Sequence, residues 1–172
     1  MMRTFRSIAV CTVVAGFLNI APASADQADV LRQVQDRADI EALMWRYVRA
    51  LDTLDAEAYA AVFTADGQFG SGRTARHGAA ELKQMITELK QGRATREAAG
   101  EPASPAMYHV ITNDSIEFID RDNARYESYW MTVFGAGGEG VPPRVAAAGR
   151  GIDLLVRVNG AWLIKSRNVA PE

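Results

Sequence analysis

The sequence predicts an α+β fold, a cone-shaped barrel in which N-terminal helices pack on a curved, mainly antiparallel sheet. Three observations lead there. Apolar residues recur at three- and four-residue steps early in the chain, and everything after Ala106 reads as β-rich runs. Between the last two runs stands Asn159-Gly160, the strongest short-range signal for a tight hairpin. Helices first and long strands afterwards suit helices laid on one face of a sheet.

The first 25 residues are set apart from that fold. Arg3 and Arg6 precede a mostly apolar run, Ile8 to Ile20, and Ala23-Ser24-Ala25 supplies the small-x-small pattern read by signal peptidase. The run is shorter than the ~20 residues of a membrane-spanning helix. Residues 1–25 are therefore expected to be a signal peptide, and residues 26–172 one domain, periplasmic or secreted, with no stable membrane insertion after cleavage near Ala25. Removing the leader takes Cys11 with it, so neither a disulfide nor a thiolate is expected in the mature chain. It also takes two arginines and no acidic residue, moving the formal charge from −2 to −4. A mildly acidic chain without a Lys/Arg cluster suits neither nucleic acid nor an anionic membrane. A small molecule or a protein is the better match.

From Asp36 to Leu51, the residues Ile40, Leu43, Met44, Tyr47, Val48 and Leu51 mark one helical face, and a looser pattern reaches back to Gln27. Asp55 is placed to cap a second, short helix through Phe63. Glycines 67, 70, 72 and 78 punctuate two short strands expected around Gln68 and Thr74. A third helix is expected from Ala79 to Gln91, followed by a polar surface loop from Gly92 to Pro105. Loops of that length tend to be lids or flaps. Strands are then expected over Tyr108–Ile119, Ala124–Phe134, Gly149–Val158 and Ala161–Val169. In the second of these, Tyr126, Trp130 and Phe134 share one face while Tyr129, Met131 and Val133 share the other. One helical layer covers only one face, so a homo-oligomer, a dimer or trimer, is expected to cover the second.

Four residues stand out as candidates for chemistry. Asp52 continues the apolar stripe of the first helix, where a carboxylate must be bonded, paired or protonated. It is either an acid–base group or a helix-terminal aspartate bonding the nearby backbone. His109 opens a strand among Met107, Val110 and Ile111, as a reactive group or as a core histidine bonded to a carbonyl. Arg167, by the hairpin register, should lie across from Ile152, with Asp52 or Asp153 as its carboxylate partner. Tyr47 shares the stripe of Asp52, as core residue or reagent. His77, beside Gly78, reads as a solvated loop residue with no role. Asp52, Asp114 and His109 lack paired-ligand spacing, and no phosphate-cradling loop or nucleophile elbow is present. Neither metal nor cofactor is expected, which leaves acid–base work in a pocket.

The chain resembles SnoaL-like proteins of the nuclear transport factor 2-like superfamily from Asp36 to Val169. The stretch from Asp36-Arg37-Ala38-Asp39-Ile40 through Ala50-Leu51-Asp52-Thr53-Leu54-Asp55 is similar to the family's first helix, and Phe63-Thr64-Ala65-Asp66-Gly67 to its next landmark. Tyr108-His109-Val110-Ile111-Thr112-Asn113 resembles its histidine strand, and Gly160-Ala161-Trp162-Leu163-Ile164-Lys165-Ser166-Arg167 its closing hairpin. The resemblance implies a pocket enclosed by helices and sheet, in a group that includes bile-acid 7α-dehydratase and scytalone dehydratase. In the former type a tyrosine five positions before an aspartate, a histidine and a late arginine form the site, a pattern matched by Tyr47, Asp52, His109 and Arg167. The implied activity is a lyase (dehydratase) or isomerase acting on a hydrophobic, ring-bearing molecule. The alternatives are a non-catalytic periplasmic binding protein, or an interaction module whose pocket is filled by Trp45, Tyr59 or Phe69.

Overall fold

The structure is a computed structural model that describes residues 25–137 and 140–171. The expected leader lies outside them except for Ala25. Three helices and six strands follow the order α1 (Ala25–Asp52), α2 (Ala56–Ala61), β1 (Phe63–Phe69), β2 (Arg76–His77), α3 (Gly78–Ala98), β3 (Met107–Phe118), β4 (Asn123–Phe134), β5 (Arg144–Val158) and β6 (Ala161–Asn168). The strands form one sheet in the order β2-β1-β6-β5-β4-β3, antiparallel except where β1 runs parallel to β6. The helices pack on one face of this curved sheet. It does not close, because β2 and β3 remain its two edges.

The apolar stripe of α1 is buried from Ile40 to Leu51, while Val30, Leu31 and Val34 in its first turns stay exposed. The looser early pattern is thus helical without being core. Ile40, Leu43, Tyr59, Leu82, Ile86, Leu155 and Ile164 are the deepest apolar side chains. Each contributes about 1.5–3 kcal/mol by leaving water. The stripe also holds Asp36, which is buried and accepts hydrogen bonds from Arg32 Nη1 (3.0 Å), Arg157 Nη2 and Trp162 Nε1 (3.4 Å). These bonds tie α1 to the β5–β6 hairpin and satisfy a carboxylate that burial alone would penalise.

Local capping follows the sequence. Asp55 Oδ1 accepts the Ala58 N–H at 3.0 Å and starts α2. Asn159 and Gly160 both take positive φ (51° and 84°), the signature of the tight hairpin turn that joins β5 to β6.

Two expectations are corrected. Thr74 lies not in a strand but at the end of a short 3-10 turn, Gly72–Thr74, and the strand follows at Arg76–His77. The long loop is half helix: α3 continues through Gly92 to Ala98 because Arg93, Ala94, Arg96, Glu97 and Ala98 are strong helix formers. Gly100, at φ 86°, ends it, leaving a connection too short for the lid that the sequence suggested.

Gly67 sits where β1 bends against β6. A Cβ there would fall 2.8 Å from Phe63 Cβ and 3.0 Å and 3.2 Å from the Thr64 and Ile164 carbonyl oxygens. Gly67→Ala should therefore lower stability by about 1–3 kcal/mol in urea unfolding, the usual cost of overpacking. An unchanged midpoint would mean that the strand yields freely.

Candidate active site

Asp52 is the last residue of α1 and His109 the third of β3, so the pair joins helix to sheet. Asp52 Oδ1 accepts the backbone N–H of His109 at 2.9 Å and lies 2.7 Å from ring Nδ1. A carboxylate is an acceptor, so Nδ1 carries the proton, and in the neutral imidazole Nε2 is then the ring's acceptor. Both side chains are mostly shielded, with 16% and 15% of His109 and Asp52 accessible. Asp52 thus bonds backbone not in the nearby turn but 57 positions away on β3, and one oxygen serves both that N–H and the ring.

His109 faces a largely apolar pocket of about 220 Å³ that also contacts Tyr47, Leu51, Ile111, Trp130 and Arg167. The pocket is not filled in the way an interaction module would require. Trp45 is exposed, Tyr59 belongs to the core, and Phe69 only lines the wall. Trp130 lies flat over Gly149, where a Cβ would come within 2.8 Å of the indole, and its Nε1 donates to the Val169 carbonyl at 2.9 Å. The sequence marked Trp130 only as part of a strand face. A glycine opposite a tryptophan was the available signal.

Arg167 reaches the same pocket by an unexpected register. From Val158↔Ala161 the hairpin pairs in step as far as Leu155↔Ile164, and it then resumes at Leu154↔Ser166 and Asp153↔Arg167. Lys165 is the extra residue, a β-bulge. Arg167 thus opposes Asp153 rather than Ile152, and it turns inward where strict alternation would have turned it out. Of its two expected partners it takes Asp153: Nη1 bonds that carboxylate, and the guanidinium stacks 4.3 Å from the Tyr47 ring centroid. Both members of the pair are fully buried. Arg167 Nε has no hydrogen-bond partner among the described residues. Tyr47 packs against Tyr59 and Phe63 with ring centroids 5.4 Å and 6.2 Å away. Burial pushes its hydroxyl pKa up, against the pull of Arg167, so it remains a proton donor. His77 ends β2 at the surface, away from this site.

Burial also pushes the Asp153 carboxyl up to about 7, although Arg167 pulls it down. An acid whose folded value exceeds its unfolded value of ~3.9 stabilises the fold while protonated. That contribution is complete below about pH 4 and is lost as pH rises through about 7. Between these limits, wild-type stability should fall relative to an Asp153→Leu/Arg167→Met variant, with a slope approaching ~1.4 kcal/mol per pH unit. Urea midpoints across pH check this, and parallel curves would refute it.

Among the described residues no group of three or more His, Cys, Asp or Glu side chains gathers in metal-binding fashion. No described helix is long and apolar enough to cross a membrane.

The family model of the SnoaL-like domain matches residues 32–168, most of the chain. The protein belongs to the SnoaL-like family. No curated protein matches its sequence. Solved structures share the fold at low identity. An NTF2-like protein with a cystatin-like fold from Novosphingobium aromaticivorans superposes with TM-score 0.67 and 19% identity, over 90% of this chain and 91% of the other. A scytalone dehydratase-like protein from the same organism gives 0.62 and 22%, over 81% and 85%. A Catenulispora acidiphila protein, in complex with S-DNPA, gives 0.62 and 22%, over 78% and 91%.

Proposed function

We propose that this SnoaL-like protein is an exported, cofactor-independent lyase (dehydratase) or isomerase acting on a hydrophobic, ring-bearing small molecule. The observation that carries the proposal is the 2.7 Å contact between Asp52 and His109, set against an apolar pocket that also contains Tyr47 and Arg167. Asp52 holds the imidazole in one tautomer, and Nε2 takes a proton from a carbon next to an electron-withdrawing group. The electron pair passes into that group as an enolate. In dehydration it returns to form C=C as a β-hydroxyl leaves, taking up a proton to depart as water. In isomerisation the proton is instead returned at another carbon. Tyr47 and Arg167 stabilise the oxygen on which charge develops, in surroundings that strengthen such contacts. A cavity of ~150 Å³ holds benzene, so about 220 Å³ suits a one- or two-ring molecule.

The deciding experiment incubates the purified protein with one- and two-ring β-hydroxy ketones and follows mass and ultraviolet absorbance. Loss of one water supports a dehydratase, and a spectral change at constant mass supports an isomerase. A second reading, a non-catalytic binding protein, draws on the commitment of Arg167 to Asp153. It is favoured if ligand is retained in native mass spectra with no turnover.

Export is part of the proposal, and N-terminal sequencing of protein from the periplasm should begin near Asp26. A homo-oligomer is also part of it, because Tyr108, Tyr129, Val145 and Leu154 stand exposed on the outer face of the sheet. Sedimentation should give two or three times the chain mass, and a monomer would remove this element.

A further inference from the structure

His109 and Ile111 are a shared wall. On their far side from the catalytic pocket, a groove of about 370 Å³ runs between α1 and the edge strand β3. Its surroundings are unlike those of the pocket. Glu41 and Asp114 stand at it, and neither carboxylate has a hydrogen-bond or ion-pair partner among the described residues. Asp114 comes there by a second bulge: β3 and β4 pair in step to Thr112↔Tyr129 and resume at Ser115↔Glu127, with Asn113 at φ 50°. Trp45, 66% exposed, projects from α1 beside the groove. Tyr126 is only 3% exposed and lines the groove, and its hydroxyl makes no hydrogen bond among the described residues.

These features call for one kind of ligand. The Tyr126 ring is buried, but its hydroxyl opens on the groove, where it can donate to or accept from an arriving polar group. The Tyr126 hydroxyl is held protonated first by burial and then by the negative charge of Asp114, against the pull of Arg167, with Asp153 and Glu41 adding to it. Negative potential in a groove with apolar walls concentrates cations. An indole face adds a second attraction for the same charge. An inorganic dication fits poorly, because Ca²⁺ or Mg²⁺ needs about six oxygens, and this groove offers two carboxylates among carbon.

We propose that this groove is a second small-molecule site, which takes an organic cation: an ammonium or guanidinium joined to an apolar body. The charge lies between Glu41 and Asp114, the body against Trp45, and the polar head within reach of the Tyr126 hydroxyl. The groove shares the His109–Ile111 wall with the pocket, but its recognition of charge does not rest on the acid–base reading.

The test uses calorimetric titration of the intact protein with phenethylammonium, and with 2-phenylethanol as its neutral counterpart. Phenethylammonium should bind at least tenfold more tightly, and its affinity should fall with added salt. Glu41→Gln combined with Asp114→Asn, both at the surface, should weaken it tenfold or more, and Tyr126→Phe a few-fold. The Trp45 indole N–H resonance should move on binding in wild type. Equal affinity for the two probes would overturn the proposal, as would an indifferent double variant or no binding up to millimolar concentration. Binding that leaves the Trp45 resonance unmoved would place the probe elsewhere and overturn it too.

Discussion

Arg167→Met should destabilise the protein by about 3–5 kcal/mol at pH 8, because it strands the Asp153 carboxylate in the core. Removing one partner of a buried ion pair costs far more than removing both, since the orphaned charge has neither water nor counter-ion. Asp153→Leu/Arg167→Met should therefore recover much of the loss. Urea unfolding of the two single variants, the double and the wild type closes the cycle. A single-variant loss under about 1 kcal/mol would mean that the pair is already solvated or neutral. The result bears on function as well. Arg167 borders the pocket while serving the core, so lost turnover in its variants cannot be ascribed to chemistry until the folded fraction is known.

His109→Ala should leave the fold intact and lower turnover about 10²- to 10⁴-fold, the range for a positioned general acid–base group. The ring is only partly buried and its hydrogen-bond partner is Asp52, so truncation strands no charge in the core. Asp52 would keep the backbone N–H of residue 109 as donor. Asp52→Asn should act through the same step, by loosening the tautomer and orientation of the imidazole. The double variant should then be little worse than His109→Ala alone, as for groups that act as a unit. The measurement is kcat on a substrate from the ring-bearing ketone panel, beside circular dichroism of each variant. Unchanged turnover in His109→Ala would remove the acid–base mechanism.

The parts of the fold legible in the sequence are those set by local period and local turn chemistry. The stripe from Ile40 to Leu51 reads directly as the buried face of α1, and Asn159-Gly160 places the last turn and its pairing as far as Leu155↔Ile164. Within the site, Tyr47 and Asp52 could be put on one helical face by counting, and His109 on a strand. That Asp52 meets His109 across 57 positions of chain came only by resemblance, since no local rule joins a helix end to a distant strand. Asp36 was invisible for the opposite reason. Its three donors come from Arg32, Arg157 and Trp162, two of them far along the chain, and a lone aspartate on an apolar stripe does not announce them. The end of α3 was misjudged because Gly92 reads as a stop, whereas the formers after it carry the helix on.

The bulge at Lys165 shows how little separates two different cavities. Its neighbours alternate inward and outward from Trp162 to Ile164, and the next inward side chain comes three positions later, at Arg167. Without that bulge, strict alternation of the same residues would present Ser166 to the interior and Arg167 to the outer face. A one-residue irregularity of the backbone thus decides that a cation, rather than a hydroxyl, turns inward toward Tyr47. Where a strand bulges decides which face every later side chain takes, so on this open sheet a one-residue slip of register is a larger functional step than most point substitutions.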